Sequence, residues 1–182
     1  TSADARWYTY ERCRLIKHPH NDGDSFHVRT LSDHRIFRLY FVDAPETDES
    51  IPERVEKQAE YWKISKADVL ELAEDATDFT AEFLRGEFTV ISKREDARGR
   101  SRIDRHYALI KVGDKYLGEE LVRNGLARVY GRYTDLPDGT QSQRFKDKLH
   151  VAERLARKEQ KGGWKKGAGS SAAKMAAAGI PE

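Results

Sequence analysis

A mainly β domain with helices packed on it (α+β) is what the sequence predicts, on three observations. Three strand-like stretches joined by short turns fill residues 12–42, a long helical period runs through 65–86, and strand patterns return at 88–92 and 106–112. Strands that follow one another through tight turns form a meander, the arrangement of an antiparallel sheet or barrel.

Arg12-Cys13-Arg14-Leu15-Ile16 reads as the first strand, and His18-Pro19-His20-Asn21-Asp22-Gly23-Asp24 as the turn after it. Ser25-Phe26-His27-Val28-Arg29 alternates polar and apolar, as a half-buried strand does. After a second turn at Ser32-Asp33-His34, residues 35–42 make the strongest strand pattern in the chain, stopped by Pro45. Val55, Ala59 and Trp62 mark a short helix. Ser65 with Asp68 is a capping-box signature opening a longer one, along which Val69, Leu72, Ala73, Ala76, Phe79 and Phe83 recur at helical spacing up to Gly86. Glu71, Glu74, Asp75 and Asp78 fall on its opposite, solvent-facing side.

Two further strands, 88–92 and 106–112, flank a basic loop centred on Gly99. A short helix over 117–124, a closing strand at 127–130 and an amphipathic helix at about 141–161 complete the pattern. Residues 1–164 are thus expected to form one domain, with a helical segment at about 50–86 and a loose Gly-, Ala-, Ser- and Lys-rich tail over 165–182.

Composition narrows the function classes. Hydrophobic residues are 38% and charged residues 35% of the 182, and no apolar run approaches the ~18–20 residues of a spanning helix. The aromatic complement (Trp 3, Tyr 8, Phe 7) suffices for a packed core. One cysteine, Cys13, excludes an internal disulfide framework and a multi-thiolate zinc site, and its place in a strand marks it as a core residue. Trp62 reads as a packing anchor, and His18 and His20 as turn residues. The net charge of +2 conceals a segment, 43–78, with 12 acidic and 4 basic side chains, while 79–182 carries 22 basic and 14 acidic. Such asymmetry points toward a polyanionic partner for the basic part. The chain opens at Thr1 without methionine, which predicts a processed or trimmed product.

Candidate chemistry lies on two acidic elements. Asp22-Gly23-Asp24 precedes one strand and Asp43-Ala44-Pro45-Glu46 ends another, so neighbouring strands would bring Asp24, Asp43 and Glu46 to one rim. Carboxylates gathered there need a cation or basic groups, and oxygen-only ligands suit Ca²⁺ or Mg²⁺. Arg38, among the apolar residues leading to Asp43, needs a counter-charge of its own. It either pairs structurally with those acids or joins them around a phosphate.

Asn21-Asp22-Gly23-Asp24-Ser25, followed by Phe37-Arg38-Leu39-Tyr40-Phe41-Val42-Asp43-Ala44-Pro45-Glu46, resembles the staphylococcal nuclease (thermonuclease) family. So do Asp96-Ala97-Arg98-Gly99-Arg100, the run 117–127, and the helix carrying 152–157 with Trp164. The resemblance extends from about Leu15 to Trp164 and implies a five-stranded OB-fold barrel. It further implies Asp24, Asp43 and the Ala44 carbonyl as Ca²⁺ ligands, Glu46 as general base, and Arg38 and Arg100 as the arginines gripping the scissile phosphate. Arg102 and Arg105 are rivals for the second arginine, with Arg100 preferred because it follows the glycine of the turn. Arg98, Tyr130 and Tyr133 are the substrate-binding candidates; Gly131 stands where the family has a base-stacking tyrosine, and Tyr130 substitutes for it.

The implied activity is calcium-dependent hydrolysis of DNA and RNA, single-stranded or breathing duplex, with little sequence preference and 3′-phosphate products. A monomer, secreted or in the periplasm or cell envelope, is also implied. The alternative is a non-catalytic OB-fold module that binds nucleic acid or a protein partner.

Overall fold

The computed structural model describes residues 6–98 and 102–169. Five strands close into a barrel. β1 (Tyr8–Leu15), β2 (Ser25–Arg29) and β3 (His34–Leu39) form an antiparallel meander, and β5 (Phe88–Ser92) pairs antiparallel with both β1 and β6 (Arg105–Val112). Parallel pairing of β3 with β6, Arg38 opposite Tyr107, completes the circle. Outside it, β4 (Val42–Asp43) pairs with β8 (Arg128–Val129), and β7 (Lys115–Tyr116) extends β6 as a hairpin.

Closure demands that one strand serve two neighbours. β1 begins four residues earlier than the sequence pattern predicts, and Arg12 (φ 56°) kinks it. Its first part pairs with β5 through Tyr8 to Cys13, with a register shift, while Arg14 and Leu15 pair with β2. A bulge of this kind re-aims a strand at a barrel corner. The expected strand over 35–42 is likewise broken. Phe41 adopts φ 71°, so the chain leaves the barrel after Leu39 and re-enters sheet pairing as β4. That break carries Asp43 away from the β3 ladder and places it opposite Arg128.

Among the described residues, helices α1 to α4 cover the barrel. α1 (Pro52–Trp62) opens on proline, whose missing N–H costs a first turn nothing, and buries Val55, Gln58 and Trp62 at helical spacing. α2 (Lys66–Phe83) starts where the sequence predicts: the Ser65 hydroxyl accepts the Asp68 amide at 3.1 Å. It ends at Phe83, with Leu84 as its cap, rather than at Gly86. Its acidic face is exposed. α3 (Leu117–Arg123) and α4 (Ser142–Lys158) pack together and are tied by Arg123 to both oxygens of Glu159, each at 2.9 Å.

One apolar core links barrel and helices. Phe26, Phe37, Val90 and Ile110 fill the barrel, continuous with Trp62, Leu72, Leu121 and Leu149 from the helices. Cys13 is fully buried in it, and burial pushes its thiol up to about 11, the state of an inert core residue. Packing continues past Trp164: residues 163–169 are helical, and Lys166 pairs with Glu71. The remainder of the expected tail, 170–182, lies outside the described residues. No helix among the described residues is long and apolar enough to cross a membrane.

Candidate active site

Gly23 sets the distance between the first acidic element and α2. A Cβ on it would stand 2.9 Å from the Cβ of both Ala44 and Ala76, closer than such atoms tolerate. The Thr80 hydroxyl of α2 donates to the Gly23 carbonyl at 2.8 Å, completing the clamp. Asp22 accepts the amides of Asp24 (3.0 Å) and Ser25 (2.8 Å), an Asx turn that aims Asp24 across the rim. Burial and the neighbouring Asp24 raise the Asp22 carboxyl well above the ordinary range.

Asp24 Oδ2 accepts the Ala44 amide at 2.6 Å and pairs with Arg38 Nη1 at 3.0 Å. The expected convergence of the two acidic elements is therefore direct. Arg38 also donates to the Val42 carbonyl at 2.9 Å and approaches Asp43 at 3.5 Å. It is tethered to the turn that carries the other acids.

Asp43 is fully buried and more heavily engaged than its sequence context predicts. Arg54 Nη2 meets Oδ1 at 2.8 Å, Arg128 Nε meets Oδ2 at 2.7 Å, and Gln58 Nε2 donates to Oδ2 at 3.0 Å. Burial alone would raise its pKa, but Arg38, Arg128, Gln58 and Arg54 together hold it below the usual value. Gln58 also donates to the Ala44 carbonyl at 3.1 Å and accepts the Glu46 amide at 2.9 Å, so this buried amide positions three consecutive parts of the acidic turn. Glu46 pairs with Arg54 Nη2 at 2.8 Å. Burial raises its pKa despite that contact, with Asp24 and Asp43 adding to the rise.

Sequence reasoning missed Arg54, Gln58 and Arg128. Arg54 and Gln58 stand four apart on α1, and a polar pair at that spacing beside Val55 and Trp62 was the available signal. Arg128 had none, because its partner lies 85 residues away.

Of the basic loop, Arg100 lies outside the described residues. Arg102 is exposed and Arg98 is exposed with φ 52°. Arg105, at the start of β6, reaches Ser25 Oγ at 3.4 Å, and Ser25 is the ladder partner of Arg38. It also donates to the Ala97 carbonyl at 2.8 Å, while its buried Nε has no hydrogen-bond partner among the described residues. Tyr130 is 49% exposed with Arg128 stacked 4.1 Å above its ring, one contact from Asp43. Tyr133 instead packs its ring against Phe41 at 5.6 Å and carries Lys146 on its face.

The carboxylates and the Ala44 carbonyl are hard oxygen donors, the chemistry a divalent cation such as calcium takes. Nη2 of Arg54, 2.8 Å from both Asp43 and Glu46, is a positive group already standing among them. Among the described residues no three His, Cys, Asp or Glu side chains are grouped to ligate a metal as they stand.

A comparison with protein families bears on this rim: the family model described as staphylococcal nuclease homologue matches residues 36–166, which include the strand arginine and the Asp-Ala-Pro-Glu turn. The chain belongs to the staphylococcal nuclease family. The matched stretch holds Arg38, Asp43, Ala44 and Glu46, and it also spans Arg54, Gln58, Arg105 and Arg128. Asp24 precedes it and is brought in by the fold. The relationship places the chain in a nuclease-type family, on an OB-type barrel.

Proposed function

We propose that the protein is a calcium-dependent phosphodiesterase that hydrolyses DNA and RNA with little sequence preference, leaving 3′-phosphate ends. The convergence of Arg38 with Asp24 and Asp43, beside Glu46, carries this reading. Attack on a phosphodiester builds negative charge on the non-bridging oxygens, and a guanidinium held beside the acidic turns offsets that charge.

Arg38 holds one phosphate oxygen from within the barrel wall. Arg105 supplies the second fork: it lies beside the same ladder position, and its buried Nε has no hydrogen-bond partner among the described residues. This assignment departs from the preference for Arg100. Glu46 orients the attacking water and takes its proton, a role its raised pKa serves by making it a better base. Asp24, Asp43 and the Ala44 carbonyl would hold calcium, which when bound supplies Lewis-acid polarisation of the phosphoryl group. Exposed Tyr130, with Arg98 on the basic loop, gives a strand a stacking face and a charged track.

Digestion of single-stranded and duplex DNA and of RNA, with calcium and then with a chelator, tests the reading, with end-group analysis of the products. Calcium-dependent digestion that is lost in Glu46→Gln and Arg38→Ala is the expected result. Binding without digestion would instead make the domain a non-catalytic nucleic-acid module.

A further inference from the structure

Asp43 has no acceptor capacity left. A carboxylate offers about four acceptor sites, two per oxygen. Arg54 and Arg38 stand on Oδ1, at 2.8 and 3.5 Å, and Arg128 and Gln58 stand on Oδ2, at 2.7 and 3.0 Å. The Ala44 carbonyl, another metal-type oxygen, is taken by Gln58 at 3.1 Å. Asp24, Asp43 and Glu46 are directly paired with the guanidiniums of Arg38, Arg54 and Arg128. A divalent ion needs a carboxylate oxygen that is not already engaged, so one donor has to leave.

Only one is placed to do so. Gln58 is fully buried, and the side chains of Arg38 and Arg128 are 12% and 10% exposed. The Arg54 side chain is 39% exposed, on the first turn of α1, and touches both Asp43 and Glu46 through the single atom Nη2. Swinging it into solvent frees one oxygen on each carboxylate and breaks no backbone contact.

We infer that Arg54 is an intramolecular cation that closes the carboxylate site, and that a divalent ion binds by displacing its guanidinium from Asp43 and Glu46. Arg54 thereby sets the ion affinity of the site; the inference rests on the calcium reading above and extends it to a residue outside the proposed ligand set. Two consequences separate displacement from simple neutralisation. Removing the charge tightens ion binding, and it lowers the stability of the ion-free protein in a way the ion restores, since ligands that bind only the folded state stabilise it by mass action.

The test is titration calorimetry with Ca²⁺ alone on the intact wild-type protein, Arg54→Ala and Arg54→Gln, with thermal melts of each with and without the ion. The glutamine variant replaces the guanidinium with an uncharged amide donor and serves as the second neutral variant should alanine not fold. At least tenfold tighter Ca²⁺ binding in the neutral variants, with a larger ion-induced rise in melting temperature, is expected. Equal or weaker binding than wild type overturns the role of Arg54 while leaving the calcium site standing. Absence of ion binding by all three proteins overturns both.

Discussion

Asp43 and Arg128 are opposed Cα partners in the β4–β8 ladder, and their side chains meet at 2.7 Å with Asp43 fully buried. The strand pairing and the ion pair thus reinforce each other. Asp43→Asn removes the charge but leaves Arg128 and Arg38 in place, 10% and 12% exposed, with their counter-charge halved or lost. Stranding buried cations in this way costs about 3–5 kcal/mol. Chemical denaturation should show a loss of that order, and a loss below about 1 kcal/mol would show that the cluster is not structurally coupled.

Arg38 couples catalysis to stability. In Arg38→Ala, Asp24, whose side chain is 7% exposed, keeps the Ala44 amide but loses its ion pair, while Asp43 keeps Arg54, Arg128 and Gln58. Turnover should fall by roughly 10²–10³, the loss expected on removing one transition-state donor, and stability by about 3–5 kcal/mol. Arg38→Lys should recover little, because an ammonium cannot reproduce the planar fork. Steady-state kinetics with a nucleic-acid substrate, checked by circular dichroism, measures both.

The second arginine is decided by comparing two single variants. Arg105→Ala is expected to depress turnover by a similar factor, with Arg100→Ala close to wild type. The reverse order would return the role to Arg100. Arg105 also braces the Ala97 carbonyl, so the comparison should track kcat and KM separately.

Gly23 is the steric link between α2 and the site. Gly23→Ala forces a Cβ within 2.9 Å of two other Cβ atoms, neither of them the end of a flexible chain. Overpacking of this kind costs about 1–3 kcal/mol. Because Asp24 is the next residue, activity should fall by more than stability alone accounts for.

Acid sensitivity should come from a histidine cluster. His27 is buried, stacked on His18 at 3.7 Å and joined to His34 at 2.8 Å. Burial, and then the charges of His18, His34 and His20, lower its pKa to about 4. The folded state therefore keeps His27 neutral, while the unfolded chain protonates near pH ~6.5. Stability from this group is full above pH ~6.5 and is lost as pH falls toward about 4, by roughly 2–3 kcal/mol. Denaturation midpoints measured across that window should drop in the wild type and flatten in His27→Gln.

Much of the fold is legible because its signals are short-range. Ser65 and Asp68 cap α2, Val55, Ala59 and Trp62 mark α1, and the alternation in 25–29 yields β2. The break after Leu39 was not legible, because the apolar run continues through Val42 and only the φ of Phe41 divides it. Within the site, Asp24, Arg38, Asp43, Ala44 and Glu46 were readable from two turns and a strand. The residues that engage them from a helix and a distant strand were not.

From the sequence alone came the meander, the helices, the acidic elements and the kinship they carry. Each depends on neighbours a few residues apart, where backbone sterics and periodic burial act. Tertiary structure alone decided which charges meet. Arg54 lies 11 residues from Asp43 and Arg128 lies 85 residues away, and only barrel closure and the β4–β8 pairing place both guanidiniums on one buried carboxylate. Coulomb attraction acts through space and falls off with distance, so chain order does not encode it.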